Sequence, residues 1–222
     1  MARAWVQHDR LDVDAGELAA LTGLLGADER ARADRFRFAR DRRRFIVRRA
    51  RLRQWLGAWV GRAPEALTFA ENSHGKPFLV DGPPFSLSHS AEMMMLAIGD
   101  ADVGCDIERI DPALDWQPLA EAFFTGAECT ALAVLPPDAG RRAFFACWAR
   151  KEAFVKALGL GLSYPLDAFD VSVGASAALL SGGAGWTIAA GVGLCGYSTA
   201  LVARDDAGQL VVQPMTTLSA AA

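Results

Sequence analysis

Two long helix-forming segments, each accompanied by short strand-forming segments, restrict this chain of 222 residues to a mixed α and β fold. The first helix is predicted over residues 28–60, with Asp28 as its N-cap. Apolar residues recur along one face of this segment, so the helix needs a core to pack against. The second helix is predicted from about Arg141 to Leu158, where Gly159 ends it.

Short apolar runs bounded by glycine, proline and aspartate predict strands around both helices. Residues 99–102 have the composition of a hairpin turn between two of these strands. We therefore expect an α+β fold with one long helix and mainly antiparallel strands in each half, 1–100 and 101–222. The last residues, 218–222, are expected to fray. The predicted strands are 3–7, 68–70, 76–80, 85–87, 93–98, 103–108, 169–173, 186–189, 197–203 and 210–212.

Charge is distributed unevenly along the chain. Residues 30–53 hold 12 arginines and two acids, whereas the remaining segments hold 11 basic and 24 acidic residues. A strongly basic helix on an otherwise acidic protein predicts an anionic ligand. The alternative interpretation is a solvated, arginine-covered helix without a ligand, since charge runs often have no other role.

Lysine is rare, with three lysines against 20 arginines. A lysine differs from an arginine in offering a compact charge on a flexible stem. Lys76, Lys151 and Lys156 each fall in a segment that carries other candidate site residues.

The sequence predicts neither a secretory signal nor a membrane span. The first residues lead into no long apolar run. The uncharged stretch 171–203 is divided by seven glycines into short apolar bursts, as in buried strands. Four scattered cysteines without a CxxC pair favour free thiols over a disulfide or zinc site. We therefore expect a reduced, cytoplasmic protein that binds no membrane.

Asp106 and Glu108 lie two residues apart in a predicted strand. Residues at this spacing point to one face of a strand, while Ile107 anchors the other face in the core. Two carboxylates so close together repel each other, so we expect a cation between them. Mg²⁺ suits the place because it takes carboxylate and phosphate oxygens together. The alternative is a strand edge with solvated acids.

Trp148, Glu152 and Lys156 follow one another at intervals of four residues in the second predicted helix. This spacing puts them on one helix face. An exposed i,i+4 ion pair stabilises a helix by only about 0.3–0.5 kcal/mol, so stability alone is a weak reason for the arrangement. The pattern therefore favours a site, and a surface salt bridge over a buried tryptophan is the alternative.

Two further segments carry groups that bind phosphate. Gly75 and Pro77 form a corner that presents Lys76, and an ammonium group is a natural phosphate ligand. Ser88 and His89 end a predicted strand with a hydroxyl and an imidazole, which both hydrogen-bond phosphate. Ordinary turn chemistry is the alternative for each segment taken alone.

Two patterns point to other enzyme classes but lack the context those classes need. Ser88 and His89 do not form a hydrolase pair, since adjacent residues of an extended chain point in opposite directions and no GxSxG turn is present. Residues 191–196 match GxGxxG, but a predicted strand follows where a dinucleotide-binding fold requires a helix. Both classes are therefore excluded.

In their order along the chain, these segments resemble the Sfp-type 4'-phosphopantetheinyl transferase family. The resemblance extends over residues 28–173 and departs from the family pattern at Ser86, usually asparagine, and at Cys105, usually β-branched. It rests on Gly-Lys-Pro at 75–77, Ser-His-Ser at 88–90, Gly-x-Asp-x-Glu at 104–108, Phe-Phe-x-x-x-Glu at 123–128 and Trp-x-x-Lys-Glu-x-x-x-Lys at 148–156.

The resemblance implies a fold of two similar α+β halves packed as an intramolecular pseudo-dimer, with the active site in the cleft between them. It implies a Mg²⁺-dependent enzyme that transfers 4'-phosphopantetheine from coenzyme A to a serine of an apo acyl or peptidyl carrier protein and releases adenosine 3',5'-bisphosphate. The length of the chain fits the Sfp type, expected to be a monomer, better than the shorter, trimeric holo-acyl-carrier-protein synthases.

The resemblance also implies which residues act on the reacting phosphate. Asp106, Glu108 and Glu152 match the Mg²⁺ ligands, and Glu152 also matches the base for the carrier serine. Lys156 matches the cation that stabilises the phosphate bridge as it breaks.

A second group of residues is implied to hold coenzyme A. Lys76, Ser88 and His89 match positions that bind the nucleotide and its phosphates. Arg32 and Arg44, on the basic segment, match positions at the 3'-phosphate and adenine end, although neighbouring arginines could take their place.

The partner implied by the resemblance is a carrier protein, typically small, helical and acidic. We expect it to dock on a mixed apolar and basic surface formed by residues 116–124 with Arg141 and Arg142. The alternative function is a binding module without catalysis, directed to a carrier protein or to nucleic acid. Nucleic-acid binding would depend steeply on salt, and the acidic remainder of the chain argues against it.

Overall fold

The computed structural model describes residues 1–191 and 193–215, so the fraying predicted for 218–222 falls outside the described residues. Runs of helices and runs of strands follow one another along the chain, and the mixed α and β fold class is confirmed. The helices are α1 (Ala15–Gly23), α2 (Ala27–Ala33), α3 (Ala39–Val60), α4 (Gln117–Phe123), α5 (Gly126–Ala133) and α6 (Pro137–Leu158). The strands are β1 (Ala2–Arg10), β2 (Phe69–Glu71), β3 (Pro77–Leu79), β4 (Phe85–Ser90), β5 (Met93–Gly99), β6 (Val103–Arg109), β7 (Trp186–Ala190), β8 (Tyr197–Arg204) and β9 (Leu210–Pro214).

The described strands form three sheets. The first has the order β4-β5-β1-β9, the second pairs β2 with β3, and the third has the order β6-β8-β7. Every pairing is antiparallel except that of β9, which runs parallel to β1 with Leu210 opposite Ala2. The last described strand therefore returns to the sheet that contains the first.

The single helix predicted over residues 28–60 is wrong, because the chain forms α2 and α3 with a break between them. Gly26 rather than Asp28 begins α2, and its N–H donates to the Glu29 carboxylate at 2.9 Å. Within the break, the Phe36 ring packs against Phe45 of α3, with 5.2 Å between the ring centroids. A continuous helix would hold residues 36 and 45 more than two turns apart, so the contact between the two rings requires the break.

Several predicted boundaries hold and others do not. Helix α3 ends at Gly61 and α6 at Gly159, both in the left-handed conformation that favours glycine. Helix α6 begins earlier than predicted because Pro137 occupies its first turn, where proline is tolerated. The predicted strand 169–173 is reduced to an isolated bridge between Val171 and Leu179.

The hairpin predicted at residues 99–102 is also wrong. Strand β5 already has β4 on one edge and β1 on the other, so it offers β6 no free edge. Residues 100–102 instead carry the chain from the first sheet to the third, where β6 pairs with β8.

Strands β4 and β6 lie beside each other at the junction of the two larger sheets. Their contact is made by side chains: the Ser86 hydroxyl accepts the Cys105 N–H at 3.0 Å, and the Ser90 hydroxyl accepts the Arg109 N–H at 3.1 Å. A buried core cluster contains residues of β1, β5, β6 and β8, and so belongs to both sheets.

Helix α6 lies directly on β6 because Gly104 leaves room for it. A Cβ atom at Gly104 would come within 2.0 Å of the Ala153 carbonyl oxygen and 2.3 Å of the Ala157 nitrogen, both on α6. This close approach brings side chains of α6 to those of β6. None of the described helices is both long enough and apolar enough to span a bilayer.

Candidate active site

Three side chains from β4, β6 and α6 meet where the two larger sheets join. The Ser88 hydroxyl donates to Oδ1 of Asp106 at 2.7 Å. The Lys156 ammonium donates to the same oxygen at 2.6 Å and to the Ser88 hydroxyl at 2.9 Å. Asp106 is buried, and Lys156 keeps 31% of its side chain exposed.

The charge pair between Asp106 and Lys156 is incompletely satisfied. Burial acts to lower the pKa of Lys156, but the Asp106 carboxylate outweighs it and the pKa rises above its usual value. Oδ2 of Asp106 is buried and has no hydrogen-bond partner among the described residues. A buried, unpaired carboxylate oxygen is costly, so this atom favours a donor or a cation beside it.

Glu108 and Glu152 share the electrostatic environment of this pair. Burial, together with the Asp106 charge, raises the pKa of Glu108 to about 7, and Ser90 donates to its carboxylate at 2.9 Å. Burial also raises the pKa of Glu152; Lys156 opposes this shift and Asp106 adds to it. The three carboxylates thus repel one another across the β6–α6 contact, although they lie far apart in the chain.

These carboxylates fit a hard divalent cation by their chemistry. No three histidine, cysteine, aspartate or glutamate side chains of the described residues meet at metal-binding distances. The Lys156 ammonium already neutralises one oxygen of Asp106. The unpaired Oδ2 of Asp106 and two carboxylates of raised pKa are nevertheless the oxygen donors that Mg²⁺ prefers.

On the other side of β4 lies a cleft of about 670 Å³, here called the arginine cleft, between α2, α3, β2 and β4. Arg32 and Arg48 line it, and each guanidinium lies 5.6 Å from the centre of the Phe45 ring. Burial, then the charges of Arg49 and Arg32, lower the pKa of Arg48 to about 10. The cleft is therefore electropositive at the end formed by α2 and α3.

Most arginines of α3 are neutralised by the protein itself. In the described parts of the chain, seven of the eight arginines of α3 have a carboxylate or carbonyl partner, and Arg48 has none. The partners are Asp41 for Arg40, Asp34 for Arg42, the Val13 carbonyl for Arg43, Asp12 for Arg44, Glu29 for Arg49 and Arg53, and Asp9 with Glu17 for Arg51.

Ser88 and His89 serve opposite faces of β4, as the extended chain predicts. Ser88 contacts Asp106, whereas His89 lines the arginine cleft. The His89 ring is open to the cleft, yet the surrounding protein and the charges of Arg48, Lys156 and Arg44 lower its pKa to about 4. His89 is therefore neutral at neutral pH and can accept or donate one hydrogen bond.

The structure places Arg44 away from the lining of the arginine cleft. Its guanidinium donates to both carboxylate oxygens of Asp12, at 2.8 and 2.6 Å, and to the Ala91 carbonyl at 2.9 Å. The hydrogen bonds that Arg44 donates to Asp12 raise the pKa of the guanidinium above its usual value. The coenzyme A contact predicted for Arg44 would compete with these bonds.

Lys76 is also engaged by the protein. Its ammonium donates to the Val103 carbonyl at 3.0 Å and to the Ala157 carbonyl near the end of α6 at 3.2 Å, and burial lowers its pKa. Lys76 and Lys156 both line a cleft of about 200 Å³, here called the lysine cleft. This cleft shares Gly75, Pro77 and Leu87 with the arginine cleft, so the two are adjacent.

The remaining lysine of the sequence motifs, Lys151, has a structural partner. It is fully buried and forms an ion pair of 2.8 Å with Glu128. Its ammonium also donates to the Leu166 and Phe169 carbonyls, both at 2.7 Å, and Glu128 accepts the Val171 N–H at 2.8 Å. The pair therefore holds α5, α6 and the segment after α6 together beside Glu152.

The aromatic residues of the motifs pack on one another. The Trp148 ring contacts Phe123, Phe124 and Phe144, with centroid distances of 5.7, 6.0 and 5.7 Å. Phe123 is 43% exposed and lines, with Glu152, a cleft of about 300 Å³ next to the turns that follow α6. The surface predicted to dock a partner is therefore adjacent to a candidate site residue.

Other parts of the predicted docking surface are less accessible. Trp116 is buried, and the Arg141 guanidinium donates to the Leu114 carbonyl at 2.5 Å.

Arg48 is the candidate that sequence reasoning missed. Nothing distinguishes it from 11 other arginines of residues 30–53 until their partners are known.

Comparison with known proteins gives consistent matches over both halves. Residues 13–100 match the family model of the 4'-phosphopantetheinyl transferase N-terminal domain, and residues 102–190 match that of the 4'-phosphopantetheinyl transferase superfamily.

Individual relatives agree with the family models. The chain is 38% identical to 4'-phosphopantetheinyl transferase HetI of Nostoc over 159 residues, which are 69% of this chain and 67% of HetI. It is 36% identical to psf-1 of Bacillus pumilus over 69% of this chain and 66% of the relative, and 31% identical to a 4'-phosphopantetheinyl transferase of Bacillus subtilis over 72% and 71%. The chain therefore belongs to the 4'-phosphopantetheinyl transferase superfamily.

Proposed function

We propose that this protein transfers the 4'-phosphopantetheine arm of coenzyme A to a serine of an apo carrier protein and releases adenosine 3',5'-bisphosphate. The observation that carries the proposal is the ion pair of Lys156 with Asp106 beside two glutamates of raised pKa, Glu108 and Glu152, with an arginine-lined cleft on the other side of β4. Phosphoryl transfer depends mainly on positioning and charge neutralisation, and this distribution of charge provides both.

Asp106, Glu108 and Glu152 would hold Mg²⁺. The unpaired Oδ2 of Asp106 and the raised pKa values of the two glutamates support this assignment, since a cation relieves both. When bound, the ion would neutralise charge on the diphosphate of coenzyme A.

Glu152 would take the proton of the carrier serine, directly or through water. A carboxylate whose pKa is raised by burial is a stronger base than an exposed one, and it is best placed when its pKa approaches the working pH. The ammonium of Lys156 would then neutralise charge on the phosphate oxygens as the bridge to the nucleotide breaks. The acceptor oxygen comes from the partner, which accounts for the lack of a nucleophile among the candidate residues.

The nucleotide would occupy the arginine cleft and the lysine cleft. His89 and Arg32 line the first, and Ser88 lies beside Lys156 at the second. Lys76 stands at their junction, where its ammonium holds two carbonyl groups. The phosphate contact predicted for Lys76 and the contact predicted for Arg44 each require those internal bonds to be exchanged.

The partner would be an acyl or peptidyl carrier protein, which would dock near Phe123 and the cleft that contains Glu152.

We further propose that residues 1–100 and 101–222 correspond to the two similar halves of an intramolecular pseudo-dimer, active as a monomer in the cytoplasm. Six of the α3 arginines form ion pairs with carboxylates of the protein itself, which reduces the free positive charge of this helix and argues against a nucleic-acid binding module.

Mass spectrometry of an apo carrier protein tests the reaction. We expect the carrier to gain one phosphopantetheine when it is incubated with this protein, coenzyme A and Mg²⁺, and to stay unmodified when the metal is removed with a chelator. An unmodified carrier in the complete mixture, over a panel of acyl and peptidyl carriers, would contradict the proposal.

The Glu152→Gln variant tests the role of this carboxylate. We expect turnover to fall by roughly 100-fold or more, the usual contribution of a general base, while the protein remains folded. Asp206→Asn, in the exposed turn between β8 and β9 and outside the three clefts, is the control and should keep full turnover. Near-native turnover of Glu152→Gln would remove Glu152 from the reaction.

A further inference from the structure

Ser90, the last residue of β4, holds the carboxylate of Glu108 on the neighbouring strand β6. The Ser90 hydroxyl donates to Oε2 of Glu108 at 2.9 Å and accepts the Arg109 N–H at 3.1 Å. Its one proton is therefore committed to the carboxylate, and one of its lone pairs to the backbone of β6. Among the described residues, Oε1 of Glu108 has no hydrogen-bond donor. The contact thus fixes the side chain and leaves one oxygen for a ligand.

Ser86 shows what a contact that only joins the two strands looks like. Its hydroxyl accepts the Cys105 N–H at 3.0 Å, four residues earlier on both strands, and in the described parts of the chain it bonds to no carboxylate. Ser90 makes the same kind of bond to β6 and adds one to Glu108. Since the strands can be joined without the added bond, that bond needs a role in the site.

The turn that follows Ser90 is strained. Ser90 pairs with Met93, so Ala91 and Glu92 alone connect β4 to β5. Ala91 has a φ angle of 49°, a left-handed conformation that alanine adopts only where its surroundings impose it. The position of Ser90 therefore depends on the contacts that hold these two turn residues.

Arg44 makes one of these contacts. Its Nη1 donates to the Ala91 carbonyl at 2.9 Å, and the two oxygens of Asp12 hold the same guanidinium at 2.8 and 2.6 Å. The adjacent Leu11 N–H donates to the Glu92 carbonyl at 2.7 Å. The segment after β1 thus fixes the turn directly through Leu11, and indirectly through Asp12 and Arg44.

We infer that Ser90, fixed through the turn by Arg44, is a positioning residue that orients the Glu108 carboxylate for binding a divalent cation. This inference rests on the proposed function. It gives Arg44 a role that its internal bonds already fulfil, in place of the coenzyme A contact predicted for it. A partner that orients a metal ligand typically contributes about 10-fold to 100-fold to metal affinity.

Binding of Mn²⁺, followed by electron paramagnetic resonance in a mixture with coenzyme A and no carrier, tests the inference without turnover. After correction for Mn²⁺ bound by free coenzyme A, we expect Ser90→Ala to weaken binding by about 10-fold to 100-fold, and Arg44→Met to weaken it as well. Ser90→Thr keeps the hydroxyl and should retain most of the affinity. Arg42→Met removes an α3 arginine that pairs with Asp34 instead, and as the matched control it should bind Mn²⁺ like the wild type.

The affinity for coenzyme A in the presence of a chelator separates positioning from other roles. Calorimetry should give the same affinity for the wild type, Ser90→Ala and Arg44→Met, because neither lost bond would contact the nucleotide. A weaker affinity of Arg44→Met under these conditions would mean that Arg44 binds coenzyme A, and would overturn its role at the turn. An unchanged Mn²⁺ affinity of Ser90→Ala would overturn the positioning role of Ser90.

The double variant tests the link between the two residues. If Arg44 acts through Ser90, adding Arg44→Met to Ser90→Ala should weaken Mn²⁺ binding no further than Ser90→Ala alone. Losses that add would overturn the link. A wild type that leaves every carrier unmodified, while Mn²⁺ binding responds to these substitutions as expected, would count against the proposed function and not against Ser90.

Discussion

At the scale of single residues, the unusual features of this protein are charges that are only partly paired. Asp106 receives two hydrogen bonds on one oxygen and none on the other. Arg48 has no partner among the described residues. Both groups are desolvated, and their charges are opposite. Desolvated charges of this kind are found more often at functional sites than elsewhere in proteins.

The Asp106–Lys156 pair yields a prediction that separates stability from catalysis. Lys156→Met should lower the free energy of unfolding by roughly 1–3 kcal/mol, because it leaves the Asp106 carboxylate buried with fewer partners. Adding Asp106→Asn should restore much of that stability without restoring transfer. Urea unfolding and the carrier assay measure the two effects. Recovery of transfer in the double variant would show that neither charge takes part in the reaction.

At the scale of elements, the end of α6 is held by residues from the segment before β3. The Asn72 side chain donates to the Gly159 carbonyl at 2.8 Å, and Lys76 donates to the Ala157 carbonyl at 3.2 Å. Since α6 also carries Glu152 and Lys156, this clamp sets the position of both relative to β6. The segment thus contributes to the site from a distance, through the helix that it fixes.

Replacement of Lys76 distinguishes this clamp from a phosphate contact. We expect Lys76→Met to lower the free energy of unfolding by about 1–3 kcal/mol, because two carbonyl groups lose their donor, and to lower kcat. Asn72→Ala is the matched control, since it removes a bond to the same helix end. In unfolding experiments and steady-state kinetics, the two variants should show similar losses in the free energy of unfolding and in kcat. A much larger KM for coenzyme A in Lys76→Met than in Asn72→Ala would support the phosphate contact instead.

Elements determined by local sequence were predictable, and those determined by distant partners were not. The end of α6 at Gly159 and the strand nature of β5 follow from nearby residues. The break between α2 and α3 depends on where Phe36 packs, and the pairing of β9 with β1 joins chain ends some 200 residues apart. The identity of Arg48 as the unpaired arginine depends on seven separate partners, which periodicity does not reveal.

At the scale of the whole molecule, the first and third sheets are joined too closely to behave as separate units. A core cluster contains residues from both sheets, β9 returns to β1, and the hydroxyls of Ser86 and Ser90 take N–H groups of β6. The candidate site lies on this junction. Opening the junction would therefore disturb the site and the core together.

We accordingly expect the protein to unfold in one transition. Ser86→Ala should shift that transition by about 1–3 kcal/mol, because it leaves the buried Cys105 N–H without its acceptor, and should not split it. Urea unfolding followed by tryptophan fluorescence and by far-UV circular dichroism should give coincident curves. Ser176→Ala, on an exposed turn, should have little effect. Two separated transitions would show that the halves unfold independently.

Because glycine has no side chain, Gly104 affects how the sequence of such a protein can evolve. Because α6 packs directly on β6 at Gly104, the strand and the helix are held together. The strand carries Asp106 and Glu108, and the helix carries Glu152 and Lys156. The positive charges of the arginine cleft belong to a different part of the chain, α2 and α3. If the nucleotide occupies the arginine cleft, as we propose, mutations in those two helices would change which phosphopantetheine donor is accepted without moving the groups on β6 and α6. A directed-evolution library confined to α2 and α3 would then sample new donors.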